Sequence, residues 1–145
     1  MKEGMSLIVK TVARILSWVI ALYGAYIVAH GHLTPGGGFA GGTIIACAFI
    51  LLFLAYGSEA KESRVKLLQA LFAGSLGVFF FWLIALLGLC FGTYFFSNLF
   101  AKGKAFCLFS GGIIPVCNAT IGFGVAGALC MIFIGFAAIK LLEGK

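Results

Sequence analysis

Four stretches of this chain are long and apolar, and only short breaks separate them: about residues 6–29, 39–56, 67–91 and 115–142. A run of ~20 apolar residues is what an α-helix needs to cross the ~30 Å hydrocarbon core of a bilayer. In lipid a spanning segment must satisfy its backbone N–H and C=O groups internally, which leaves helices as the natural state of such runs. Only 10% of the residues are charged and 63% are hydrophobic. A soluble domain carries about a quarter charged residues, so this chain cannot cover itself with polar surface. The expected fold is all-α: an integral membrane four-helix bundle, a single transmembrane domain over 1–145, with the lipid bilayer as its solvent. The first apolar run is longer than a signal-peptide core and lacks a small-x-small cleavage site, so it is expected to stay as a span.

The charges read as topology signals. Lys2, Lys10, Arg14, Lys61, Arg64, Lys66, Lys140 and Lys145 sit on the amino-terminal side, in the second connection and in the carboxyl tail. Only Lys102 and Lys104 sit on the opposite side. The positive-inside rule then places both termini in the cytoplasm. Basic residues beside apolar spans are no nucleic-acid surface, and none is expected as a partner. Between the third and fourth spans, Tyr94, Phe95, Phe96, Phe100, Phe106 and Phe109 surround Lys102 and Lys104. That mixture suits an interfacial segment rather than a crossing one.

The spans are also informative in what they lack. The chain has no Asp, and its four Glu (Glu3, Glu59, Glu62 and Glu143) lie at span ends or in connections. Ion-coupled carriers place an ionisable residue inside the membrane. A four-helix multidrug exporter or a standalone proton or sodium carrier is therefore disfavoured, and deep charges for ion handling must come from a neighbouring subunit. Cys47, Cys90 and Cys130 lie inside apolar runs as small hydrophobes. Cys107 and Cys117 flank a Gly/Pro-containing segment and suit a disulfide if that segment faces an oxidising side. No CxxC is present, so no metal site and no cofactor is expected. Small residues recur at four-residue spacing: Ala21, Ala25 and Ala29; Gly38 and Gly42; Gly88 and Gly92; Gly122 and Ala126. Such spacing lets helix backbones approach closely in lipid. The 16 Phe are expected to serve as bulky packing and lipid-facing surface.

One break stands apart. Residues 30–42 read H-G-H-L-T-P-G-G-G-F-A-G-G. Pro35 prevents the first helix from continuing. Gly36, Gly37 and Gly38 permit tight backbone approach just before a helix start, whose free N–H groups carry the positive end of the helix dipole. His30 and His32 are the titratable candidates here, able to pass protons near neutral pH or simply polar residues at a helix end. Haem ligation is disfavoured, because two His one residue apart cannot bind opposite faces of one haem.

The run Gly31, His32, Pro35, Gly36, Gly37, Gly38, Phe39, Gly41 and Gly42 resembles the signature of the B subunit of Mrp-type (Mnh) multisubunit Na+/H+ antiporters. The equivalent subunit of archaeal membrane-bound hydrogenase and sulfane-sulfur reductase complexes is similar. A second stretch, Ser110 to Asn118 and on through Gly122, resembles the family's last helix, with Pro115, Asn118 and Gly122 as its marked positions. The resemblance departs near Gly124, where a charged or polar residue is expected in relatives. It implies a non-catalytic accessory subunit in a prokaryotic cell membrane, without a cofactor, packed beside small and large membrane subunits of an antiporter module. That module stands alone or belongs to a hydrogenase or sulfur-reducing complex. Carried onto this chain, the ion-path or packing positions are His30, His32, Pro35, Gly36, Gly37, Gly38, Phe39, Gly41 and Gly42. Two other readings stay open: a small self-assembling channel or carrier, and a purely structural scaffold.

Overall fold

The structure is a computed structural model that describes residues 5–57, 60–91, 94–99, 103–104, 107 and 110–143. Lys2, Glu3, Glu59, Gly92, Phe100, Lys102, Phe106, Phe109 and Lys145 lie outside the described residues, as do the side chains of Lys61, Glu62, Arg64, Lys66, Lys140 and Glu143. Four helices form: α1 (Leu7–Ala29), α2 (Gly38–Tyr56), α3 (Ala60–Cys90) and α4 (Ile114–Glu143). Each is long and apolar enough to cross a membrane, and no strand occurs among the described residues. The protein is all-α and multi-pass.

Several hydroxyl side chains within the spans turn back onto their own helices. Thr11 Oγ1 donates to Leu7 O at 3.0 Å, Ser17 Oγ to Arg14 O at 2.9 Å and Thr120 Oγ1 to Cys117 O at 2.9 Å. This spares lipid an unsatisfied hydroxyl. Helix α2 stops at Gly57, whose positive φ of 67° closes the end while its N–H bonds Phe53 O at 3.1 Å. Pro115 lies in the first turn of α4, where its missing N–H costs nothing.

The helices form a row in the order α1, α2, α4, α3, with a minor contact of α1 to α4 and, among the described residues, none of α3 to α1 or α2. The interior is built from small residues: Ala13, Ala46, Ala48, Ala55, Ala85 and Ala126 are buried, while Trp18, Leu22, Phe72 and Phe136 point outward. Driving apolar groups together has no advantage in lipid, so close backbone contact takes the place of a bulky core. The α1 seam corrects an expectation. Its buried face is Ala13, Ser17, Gly24 and Val28, whereas Ala25 is exposed and Ala21 and Ala29 are half-buried. Gly24 wins because a Cβ there would stand 2.7 Å from Ile45 and 3.0 Å from Gly41 O, so α2 presses on α1 at that turn.

The connection after α3 folds back onto that helix. Phe96 N–H donates to Ala85 O at 3.3 Å, and the Phe96 ring lies 5.2 Å from Phe81. Gly88 meets this loop at Tyr94 O and Ser97 rather than another helix. Cys107 and Cys117 are free thiols, exposed and buried respectively, so the disulfide considered from the sequence is absent.

Candidate functional site

The two glycine-bearing motifs, about eighty residues apart in sequence, meet at the end of the row where α1 turns into α2. Helix α1 ends at His30, whose carbonyl accepts Leu33 N–H at 2.8 Å, Thr34 N–H at 2.9 Å and Thr34 Oγ1 at 3.2 Å. Three donors on one oxygen close the turn and satisfy a helix-end carbonyl. The His30 ring stacks on Tyr26 at 4.2 Å, and its Nδ1 lies 3.1 Å from Tyr26 O. His30 is thus bound to its own helix.

The chain then reverses through Gly36 and Gly37. Gly37, the residue capping α2, has φ 92° and ψ −165°, a region essentially closed to any residue with a Cβ. Its carbonyl accepts the Gly41 N–H at 3.0 Å, which starts the helix. The loop lies directly on α4. A Cβ on Gly38 would stand 2.5 Å from Asn118 O and 2.8 Å from Ile121 Cβ, and one on Gly42 would stand 2.5 Å from Gly122 O. A Cβ on Gly31 would collide with the Gly37 backbone and stand 2.7 Å from the Asn118 side chain. Asn118 therefore sits against both arms of the turn. Gly41 meets Gly24 and Val28 of α1 on its other side.

His32 faces the loop that leads into α4. Its Nε2 lies 3.4 Å from Cys107 O, and its ring packs on Gly111, where a Cβ would stand 3.1 Å away. The Nδ1 atom is buried, and among the described residues nothing hydrogen-bonds it. A buried nitrogen without a partner costs about 1–3 kcal/mol, so a polar group from outside the described residues would be stabilised there. Asn98 secures the same loop: its Oδ1 accepts the Ile113 N–H at 3.1 Å, and Gly112, at φ 59°, leaves room for its side chain.

The marked positions thus separate into two sets. Gly37, Gly38, Gly41, Gly42, His32, Asn118 and Gly122 converge, with Pro115 beside Gly111. Pro35, Gly36 and Phe39 lie on the outside, Phe39 with 69% of its surface exposed. The sequence reading missed Asn98 and the partnership of Gly111 with His32. The one available signal was a polar Asn98 in an aromatic-rich segment. Near Gly124, where a polar residue was expected in relatives, α4 instead lies backbone to backbone against Gly74 and Gly77 of α3.

Comparison with known proteins concerns the chain as a whole. Residues 8–131 match the domain family described as related to the MnhB subunit of Na+/H+ antiporter. An uncharacterized protein of Methanocaldococcus jannaschii is 36% identical over 133 residues, covering 84% of this chain and 48% of that protein. The putative antiporter subunit mnhB2 of Staphylococcus saprophyticus is 40% identical over 67 residues, 46% of this chain and 45% of the relative. Among solved structures, a chain of the membrane-bound sulfane sulfur reductase, an archaeal respiratory membrane complex, superposes with a TM-score of 0.73 at 37% identity. That superposition covers 93% of this chain and 59% of the other. The chain spans about half the length of the curated relatives it matches.

Proposed function

The chain belongs to the family of domains related to the MnhB subunit of Na+/H+ antiporters, and we propose on that premise that it is an accessory, non-catalytic membrane subunit of a cation/proton antiporter module. The module is either a standalone antiporter or part of a respiratory membrane complex. One observation carries the reading: no Asp or Glu lies within the apolar spans, yet a packed turn holds a half-buried imidazole, its Nδ1 enclosed, at one membrane end. Such a chain has no site for translocating an ion by itself. It can hold a helix start and a His32 ring at the mouth of a path whose deep charges belong to neighbours. The exposed Phe39 and Pro35 give that end a face for a partner helix. Basic residues at the opposite end favour cytoplasmic termini, which puts His32 near the external surface.

Mild-detergent purification from native membranes, with mass spectrometry of everything retained, tests this. Co-purification with large antiporter-like subunits is expected, accompanied by redox proteins if the parent is a respiratory complex. A homo-oligomer without partners would sink the proposal and bring the small-channel reading forward. That channel reading requires cation flux from this polypeptide alone in liposomes.

His32→Ala is expected to leave the complex assembled and to lower sodium-dependent proton exchange by about a hundredfold, the lower end for losing a positioned proton-transfer group. Measurement is by vesicle fluorescence across pH 6 to 9. His30→Ala, which removes only a ring stacked on its own helix, is expected to change exchange little. An unchanged pH profile in the His32 variant removes that residue from the mechanism.

A further inference from the structure

The row of helices leaves a groove between α2 and α3, floored by α4, at the end opposite the glycine turn. Its walls are almost wholly apolar. Ile45, Ala73 and Phe123 line its inner part, and Tyr56 and Gln69 bring the polar groups to its mouth. Tyr56 also ties the groove to a basic cluster. Arg14 Nε and Nη2 donate to the Tyr56 hydroxyl at 2.9 and 2.5 Å, and Lys10 Nζ lies 5.9 Å from the ring centre.

We propose that this groove seats one acyl chain of an anionic phospholipid, with its phosphate held by Lys10 and Arg14 beside Tyr56. Length selects the occupant. The α2 wall runs from Ile45 to Tyr56, ~16 Å at the helical rise, about half of the ~30 Å hydrocarbon core. That is the depth of one leaflet. A helix from a neighbouring subunit would follow α2 through the whole membrane. Here α2 is instead drawn against α4 beyond the groove, at Gly38 and Gly42. Charge selects the headgroup: clustered Lys and Arg at a span end attract anionic lipid, and Tyr56 keeps the Arg14 guanidinium at the groove mouth. A lone basic patch would hold any anion, and a lone apolar groove any acyl chain. Their junction at Tyr56 specifies a molecule with both.

The test titrates the full-length chain in mild detergent with dioleoyl phosphatidylglycerol and with dioleoyl phosphatidylcholine, reading bound lipid by native mass spectrometry. Phosphatidylglycerol is expected to bind at least about fivefold more tightly, the value of one basic group near an anionic headgroup. Lys10→Gln, which leaves the Arg14–Tyr56 hydrogen bonds in place, is expected to reduce that preference by about fivefold. Ala73→Phe, filling the inner groove, is expected to weaken both lipids. Equal affinity for the two lipids overturns the headgroup assignment, and unaltered binding to Ala73→Phe overturns the groove. A photo-crosslinking phenylalanine derivative at position 123, where the native ring already lines the groove, is expected to capture lipid in native membranes, whereas capture of a polypeptide makes the groove a subunit interface and overturns the proposal.

Discussion

Gly38→Val is expected to abolish stable incorporation of the chain into its complex and to lower its own melting temperature in detergent sharply. The turn into α2 lies so close to α4 that a Cβ at Gly38 would stand 2.5 Å from the Asn118 carbonyl oxygen and 2.8 Å from Ile121 Cβ. Neither obstacle is the free end of a flexible side chain. One is backbone and the other a branched carbon at the root of its residue, so α2 and α4 must part. Overpacking at a tight contact costs about 1–3 kcal/mol, and valine at a backbone-to-backbone approach belongs at the upper end. Gly135 provides the control. It lies on the same α4, and nothing stands within 4 Å of the Cβ it lacks. Gly135→Val is therefore expected to melt and assemble like the parent. The readouts are the melting curve of the purified chain and the fraction of chain recovered with its partners. If the two variants behave alike, the glycine at 38 serves something other than contact. Gly37→Ala probes a different cost at the next residue. Its Cβ would have room, 3.6 Å from Asn118 Oδ1, but φ 92° with ψ −165° carries about 1–3 kcal/mol of backbone strain for alanine. A milder loss, without separation of α2 from α4, is expected there.

Much of this was legible before the structure, for a definite reason. A bilayer forces each apolar run to satisfy its own backbone, so run length and spacing alone predict four helices and no strands. The same solvent hides which faces meet. In water a buried face is marked by apolar residues; in lipid the outward face is equally apolar, and Leu22 or Phe72 looks like a core residue until its exposure is seen. Spacing of small residues was the remaining guide, and it served unevenly. It marked Gly38, Gly42 and Gly122, which do meet. It also marked Ala21, Ala25 and Ala29, although α1 presents Gly24 and Val28 instead. Gly74 and Gly77, three residues apart rather than four, escaped it, yet they meet Gly124 and Gly127. Both stretches of the candidate site were visible as motifs, but nothing in either showed that Asn118 of one seats against Gly31 and Gly37 of the other. Pairing between distant segments leaves no local trace in one sequence. Asn98 was invisible for the same reason: its role depends on the Ile113 N–H, fifteen positions away.

The seam that escaped the spacing rule supports the second large effect. Among the described residues α3 touches no helix except α4, and the two meet through backbone at Gly74, Gly77, Gly124 and Gly127. At Gly127 a Cβ would collide with the Gly74 backbone nitrogen and stand 2.8 Å from Gly74 Cα and 3.0 Å from Ala70 O. Gly127→Val is thus expected to undock α3 while α1, α2 and α4 keep their packing. A cost of about 3 kcal/mol at this contact corresponds to roughly a hundredfold loss of the docked population. Among the described residues no second neighbour of α3 shares that loss, whereas α1 touches both α2 and α4. Pulsed electron paramagnetic resonance reads the difference. With the five native cysteines replaced, spin labels on the exposed positions Leu71 and Ile132 report the α3–α4 distance, and labels on Leu22 and Phe49 report α1–α2. The first distribution is expected to broaden and lengthen in Gly127→Val while the second stays narrow. A narrow, unshifted α3–α4 distance would mean that α3 is held by something other than this glycine seam. Since α3 also forms one wall of the lipid groove, undocking it should remove phosphatidylglycerol binding even with Lys10, Arg14 and Tyr56 intact. The seam and the groove are parts of one construction: glycine contact along α4 sets how far α3 stands from α2, and that separation is the width available to an acyl chain.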